Sequence, residues 1–381
     1  MKKIIRTATV SISLDILLRG QLSFLKSKYE IVAVSGLDNH LELVAKREGV
    51  RVENVFMSRA ISPLSDLISL IKLFFLFRKE RPEMVHSITP KAGLLSMIAA
   101  YFAGVPIRVH TFTGLIFPTS TGFKKYLLIK MDRLLCKFAT HIYPEGEGVK
   151  NDLINYKITN KPLKVIANGN VNGIDVAHFS PDIVSKDEIH ELKNKLGIAV
   201  TDFVYVFVGR LVQDKGINEL ISAFDSISKE NPNCKLLLVG SLESNLDPLL
   251  TSTIEKIKKH PSIISVGWQE DVRPYFSISN VLVFPSYREG FPNVVLQAGA
   301  IGLPSIVTDI NGCNEIIKDN TNGLIIPVKN EFALENAMRK IHHDKELYLN
   351  LKAKSRDQIV LDYRQEVVWN AILEEYQKLI K

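Results

Sequence analysis

Short apolar runs of strand character alternate with segments of helix length, and no other feature restricts the fold of this chain so tightly. In the first half the strand candidates are Lys3–Ile12, Tyr29–Ser35, Met84–Ser87, Ile107–Thr111 and His141–Tyr143, with helices expected over Asp38–Glu48, Ser62–Arg81 and Lys91–Ala103. In the second half Phe203–Val208, Lys235–Gly240, Ile263–Gly267, Val281–Pro285 and Leu303–Thr308 read as strands. Asn322–Pro327 reads as a turn and edge strand, and Glu331–Lys381 as a helical tail. Strands that alternate with helices pair in parallel and take helices on both sheet faces, which leaves the carboxyl-end loops to carry function. At 381 residues the chain is longer than one core usually supports, so two such α/β domains are expected.

Several classes are excluded early. A chain 46% hydrophobic and 23% charged is not disordered. Cys136, Cys234 and Cys313 are distant and odd in number, which argues for a reducing cytosol and against a disulfide framework or a zinc site. The first residues resemble a signal peptide, but Arg6 and Asp15 interrupt the apolar stretch, so a first strand and turn is expected instead. No run reaches the roughly 18 apolar residues of a membrane span; Gly93–Ile107 is shorter and broken by Gly104 and Pro106. No Gly-x-Gly-x-x-Gly occurs, which counts against a nicotinamide-dependent dehydrogenase. Residues 1–175 hold 25 basic against 14 acidic residues, +11, whereas the remainder holds 23 against 27, −4. A basic half points to an anionic partner, a membrane or phosphorylated lipid among them, or simply to a soluble surface.

Val281–Pro304 carries the most chemistry. A strand runs into the loop Ser286–Phe291, and Pro292 is placed at the first helical position, where its missing N–H costs nothing. The amides of Asn293, Val294 and Val295 would then point toward the loop as a phosphate site. Glu289 ahead of that tip would be repelled by a phosphate unless a hydroxyl-rich group lies between them, and a sugar fits that description. Gln297 lies roughly 6 Å farther along the helix axis, about the separation of a phosphate from the next ribose. The order is sugar, phosphate, ribose.

The pattern Glu289-Gly290-Phe291-Pro292, then Gln297, Ala298, Gly302 and Pro304, resembles the E-x7-E motif of glycosyltransferase family 4, retaining enzymes of the GT-B fold. Gly209-Arg210-Leu211-Val212-Gln213-Asp214-Lys215-Gly216 resembles the family's GR-x-x-x-x-KG. The resemblance covers nearly the whole chain. It implies two facing Rossmann-like domains, doubly wound and parallel, with a cleft between them. Residues 1–175 would be the acceptor side, joined by a C-terminal helix at about 362–381, and 176–361 would bind the nucleotide sugar. The Asn- and Gly-rich Lys164–Pro181 would be the hinge side of the cleft. By the same resemblance Arg210 and Lys215 neutralise the diphosphate, Glu289 contacts the donor sugar, and Trp268 lies where the nucleobase is held. Whether the indole stacks or only packs is left open. Gln297 stands where the family has Glu; an amide still bonds two hydroxyls, without the strength of a charge. His110-Thr-Phe-Thr-Gly114 matches a strand end whose His lies near the donor sugar, while His86 is read as a structural histidine.

The implied reaction moves a hexose or N-acetylhexosamine from a nucleoside diphosphate sugar, UDP-linked, to a lipid-linked saccharide of a bacterial surface polysaccharide. No Asp-x-Asp occurs, so neither a metal nor any other cofactor is expected. Nucleic acid is not among the expected partners, whereas an anionic membrane surface is, with the protein cytoplasmic and peripheral to the inner face of the cell membrane. Gly122–Phe138, with Lys130, Arg133 and Lys137 on one stripe, is either a membrane-docking helix or an ordinary half-buried one. An epimerase or phosphorylase on the same fold, and a non-catalytic sugar-nucleotide-binding subunit, remain as alternatives.

Overall fold

A computed structural model describes residues 1–243 and 247–380; Lys381, the end of the expected 362–381 helix, lies outside them. The strands form two parallel six-stranded sheets. The first comprises β1 (Lys3–Thr7), β2 (Glu30–Ser35), β3 (Arg51–Asn54), β4 (Met84–Ser87), β5 (Ile107–Phe112) and β6 (His141–Pro144), in the order β3-β2-β1-β4-β5-β6. The second comprises β7 (Phe203–Val208), β8 (Cys234–Val239), β9 (Ile263–Gly267), β10 (Val281–Phe284), β11 (Ser305–Thr308) and β12 (Gly323–Ile326), in the order β12-β11-β10-β7-β8-β9. Both orders are the doubly wound one. The order reverses between β1 and β4 in one sheet and between β7 and β10 in the other, and such points bind ligands at the carboxyl ends of the strands.

The continuous apolar runs follow from burial on both faces. Ile4 and Ile5 are neighbours on β1, yet Ile4 packs in one layer with Leu14 and Leu22, and Ile5 in the other with Val85 and Ala92. The expected strand Lys3–Ile12 is too long. It ends at Thr7, and Ser11–Leu17 is a helix in which Ser11 bonds the Asp38 carboxylate and Leu14 is buried. The helix Pro63–Glu80 starts on a proline in its first turn and stops at Arg81, whose φ is 47°. In the helix Pro90–Ala103 a Cβ on Gly93 would stand 2.4 Å from Cε1 of His110, so the glycine is what lets β5 and this helix approach.

Contacts divide the chain into two compact units, 1–173 with 365–381, and 174–364. The last helix, Gln365–Leu379, is keyed into the first unit by polar groups. The buried Arg6 donates to the Tyr376 hydroxyl and to Gln21 Oε1, both at 2.9 Å, and Trp369 Nε1 donates to Asn172 Oδ1 at 2.8 Å.

Candidate functional site

The second unit gathers most of the expected residues at its switch point. β7 hands its chain to the loop Gly209–Gly216, and β10 hands its chain to Pro285–Pro292. The two loops are stitched together: the Tyr287 N–H donates to the Asp214 carbonyl at 2.8 Å, and Arg288 pairs with the Asp214 carboxylate at 3.0 Å. Gly216 has a φ of 70°, and a Cβ there would fall 2.1 Å from the Pro285 carbonyl oxygen. No other residue fits that contact. The consequence is an ion pair between Lys215 Nζ and Glu289 Oε1, with both side chains 17% exposed. The Ser286 hydroxyl donates to the same Glu289 oxygen at 2.9 Å, and Lys215 Nζ lies 5.6 Å from the centre of the Phe284 ring.

Arg210 is looser. Its side chain is 50% exposed and pairs with Glu243 at 3.2 Å, a surface pair of small net value that can open toward an incoming anion. Glu243 belongs to no motif and could not be singled out before the loop geometry was known.

The helix Asn293–Ile301 begins one residue later than expected. Pro292 is its N-cap with ψ of 108°, and the Val295 N–H already donates to the Pro292 carbonyl at 3.1 Å, so Val295 offers no free amide. Asn293 and Val294 form the first turn, half-buried. Gly290 lies against Gly312, where a Cβ would be 2.6 Å from its carbonyl oxygen. The Phe291 side chain turns inward and packs on Tyr363 at 5.5 Å, so only its backbone faces the loop. Gln297 is half-buried and makes no side-chain hydrogen bond among the described residues. Trp268 follows β9 and is 70% exposed, so its indole is presented to solvent and not packed. The Cys313 thiol is fully buried, and burial raises its pKa well above the usual range, in line with a structural role.

The first unit holds the two histidines. His86 is a core residue, its Nδ1 2.5 Å from the Tyr376 hydroxyl and its Nε2 2.8 Å from Thr111 Oγ1. His110 is also interior, 1% exposed, with Nδ1 2.8 Å from Ser87 Oγ and a buried Nε2 that has no partner. Burial pushes its pKa down to about 3, so the ring is neutral at physiological pH. The ring packs edge-on against Phe112, with centroids 4.5 Å apart.

Comparison with known proteins bears on this geometry. Residues 188–358 match the family model for glycosyl transferases group 1, and residues 24–170 that for Glycosyltransferase Family 4. The capsular polysaccharide biosynthesis glycosyltransferase CapM of Staphylococcus aureus is 32% identical over 387 residues, covering 100% of this chain and 98% of that one. The UDP-Gal:alpha-D-GlcNAc-diphosphoundecaprenol alpha-1,3-galactosyltransferase of Escherichia coli is 33% identical over 310 residues, 80% of this chain and 77% of that one. Among solved structures, Anabaena Alr3699/HepE in complex with UDP and glucose superposes with a TM-score of 0.84 at 17% identity, covering 99% of this chain and 100% of that one. The fold is thereby the GT-B fold.

Proposed function

Since the chain belongs to the glycosyltransferases of group 1 and family 4, we propose that it transfers a hexose or N-acetylhexosamine from a UDP-sugar to a lipid-linked saccharide in bacterial surface polysaccharide synthesis. The observation that carries this reading is the convergence of Arg210, Lys215, Glu289 and the start of the helix Asn293–Ile301 on one switch point. The Escherichia coli relative supports it, because its name specifies a UDP-sugar donor and a diphosphoundecaprenol acceptor.

Transfer proceeds with retention. The bond from the anomeric carbon to the phosphate oxygen breaks, and negative charge grows on the diphosphate beside Lys215 and Arg210, which neutralise it without a metal. The acceptor oxygen attacks the same face of the oxocarbenium-like sugar, and its proton passes to the departing phosphate oxygen. Glu289 orients the donor sugar, Gln297 holds the ribose, and Trp268 meets the base. His110, whose buried Nε2 has no partner among the described residues, bonds the sugar hydroxyl or the acceptor region.

The purified chain is expected to melt at higher temperature with its donor among a panel of UDP- and GDP-sugars, since a ligand bound to the folded state stabilises it by mass action. The indole fluorescence of Trp268 should change with the same ligand and cease to respond in Trp268→Phe. No shift with any sugar nucleotide would defeat the donor assignment. Free epimerised sugar nucleotide formed without an acceptor would favour an epimerase instead.

The acceptor reading places the protein at the inner face of the membrane. No helix among the described residues is long and apolar enough to cross a bilayer. The 63–80 helix nevertheless exposes Leu64, Leu67, Ile68, Ile71 and Phe75 on one stripe, at 47–80%. Lys72, Arg78 and Lys79 lie on the same helix, and a basic residue near an anionic surface contributes about 1 kcal/mol. The stripe of Lys130, Arg133 and Lys137 is less free than expected, because Arg133 donates to the Tyr156 and Lys157 carbonyls at 3.0 and 3.1 Å. Wild type should therefore sediment with anionic vesicles at low salt, and serines at Ile68, Ile71 and Phe75 should leave it in the supernatant. A wild type that stays in the supernatant contradicts the assignment.

A further inference from the structure

The two loops of the candidate site are joined by two ion pairs of opposite sense. Along one loop Asp214 precedes Lys215, an acid before a base, and along the other Arg288 precedes Glu289, a base before an acid. Lys215 meets Glu289, and Arg288 Nη2 donates to Asp214 Oδ2 at 3.0 Å. The second pair takes no part in the donor contacts proposed above, yet it lies one residue away from them on both loops.

Acids are abundant around a site read as binding a diphosphate. Asp214, Glu219, Glu243, Asp247 and Glu289 all belong to these loops or touch them, and a carboxylate left unpaired there would repel the ligand or compete for its cations. Most keep a partner that is independent of Arg288. Glu243 pairs with Arg210 and Glu289 with Lys215, while Glu219 accepts from the Tyr287 hydroxyl at 2.5 Å and the Asp247 carboxylate from the Asp214 N–H at 2.6 Å. Asp214 differs. Its Oδ2 has Arg288 as its one donor among the described residues, and its Oδ1 is buried with no partner.

The Asp214 backbone is fixed by other means, because its carbonyl accepts from the Tyr287 N–H at 2.8 Å and from the Ser286 hydroxyl at 3.3 Å. Without Arg288 the loops would stay joined, and the Asp214 charge would stay beside Lys215. The ion pair itself adds little to stability, since the Arg288 side chain is 40% exposed. Its effect lies in where the charge is held.

We infer that Arg288 is a positioning residue for donor binding: by holding the Asp214 carboxylate it keeps Lys215 available for Glu289 and the diphosphate. The inference rests on the UDP-sugar reading of the site and adds to it a residue that touches neither sugar nor phosphate.

The test measures UDP binding to the full chain by calorimetry at low and at high salt. Arg288→Ala should weaken UDP about tenfold at low salt and less at high salt, where the unpaired charge is partly screened, with the melting temperature of the free protein nearly unchanged. Adding Asp214→Asn to Arg288→Ala deletes the stranded charge and should return the affinity to within about threefold of wild type. Damage to the shape of the loop would not be mended by that second change. Arg288→Lys, which keeps the charge, should also stay within about threefold, and in the transfer reaction the donor KM of Arg288→Ala should rise while the acceptor KM holds. If the Arg288→Ala protein does not fold, Arg288→Gln makes the same comparison. UDP bound equally by wild type and the charge-deleted variant overturns the inference, and so does a loss that Asp214→Asn leaves in place. A wild type that binds no UDP overturns the UDP-sugar reading itself, which separates the two failures.

Discussion

Lys215→Ala is expected to lower transfer by about 10²–10³-fold with the fold intact, the loss typical of removing one preorganised group from a developing oxyanion. The lysine is held by the Glu289 carboxylate in a setting where both side chains are only 17% exposed, so its position is fixed before any donor arrives. Its removal also takes the ion-pair partner from Glu289 and leaves it the Ser286 hydroxyl, so the change acts on the diphosphate and the sugar contact together. Arg210→Ala should cost less. Arg210 is half exposed and its Glu243 partner is a surface group, so water and salt can substitute for part of its charge. Turnover by Lys215→Ala equal to wild type would remove the diphosphate from this site.

Glu289→Gln and Gln297→Ala should separate kcat from KM. The Glu289 carboxylate sits at the loop beside the expected breaking bond, fixed by Lys215 and the Ser286 hydroxyl, and a neutral amide there loses the ion pair as well as the orientation of the donor. A fall in kcat of about a hundredfold is expected. Gln297 lies about two helical turns behind, with no hydrogen-bond partner among the described residues, so its bonds to ribose would be equal in ground and transition states. Gln297→Ala should raise donor KM roughly threefold to tenfold with kcat unchanged. A collapse of kcat in Gln297→Ala at constant KM would mean that the sugar, phosphate and ribose lie in a different order along this helix.

What could be read from the sequence followed the strength of the local signal. The apolar runs at Phe203–Val208 and Val281–Phe284 are buried on both faces and stand out as strands. Arg51–Asn54 forms the edge of the first sheet with two residues exposed and two half-buried, so it carries no such pattern and was missed. The strand reading of Ile12 failed for a related reason: Ser-Ile-Ser alternates like a strand, but beyond Thr7 the chain has left the sheet and turns into a helix. At the site, the motif spacing located Lys215 and Glu289 separately. Their pairing across 74 residues comes from β7 and β10 being neighbours, which only the topology reveals. Phe291 belongs to the motif yet packs on Tyr363, because one stretch of chain serves both the loop and the core beneath it.

The most direct measurement is the identity and anomeric configuration of the product formed by the purified chain from a UDP-sugar and a polyprenyl diphosphate saccharide. The account predicts an acceptor lengthened by one sugar, joined through a linkage of the same anomeric configuration as in the donor. An inverted linkage would contradict the front-face reaction, and an acceptor left unchanged with every sugar nucleotide would contradict the proposed function as a whole.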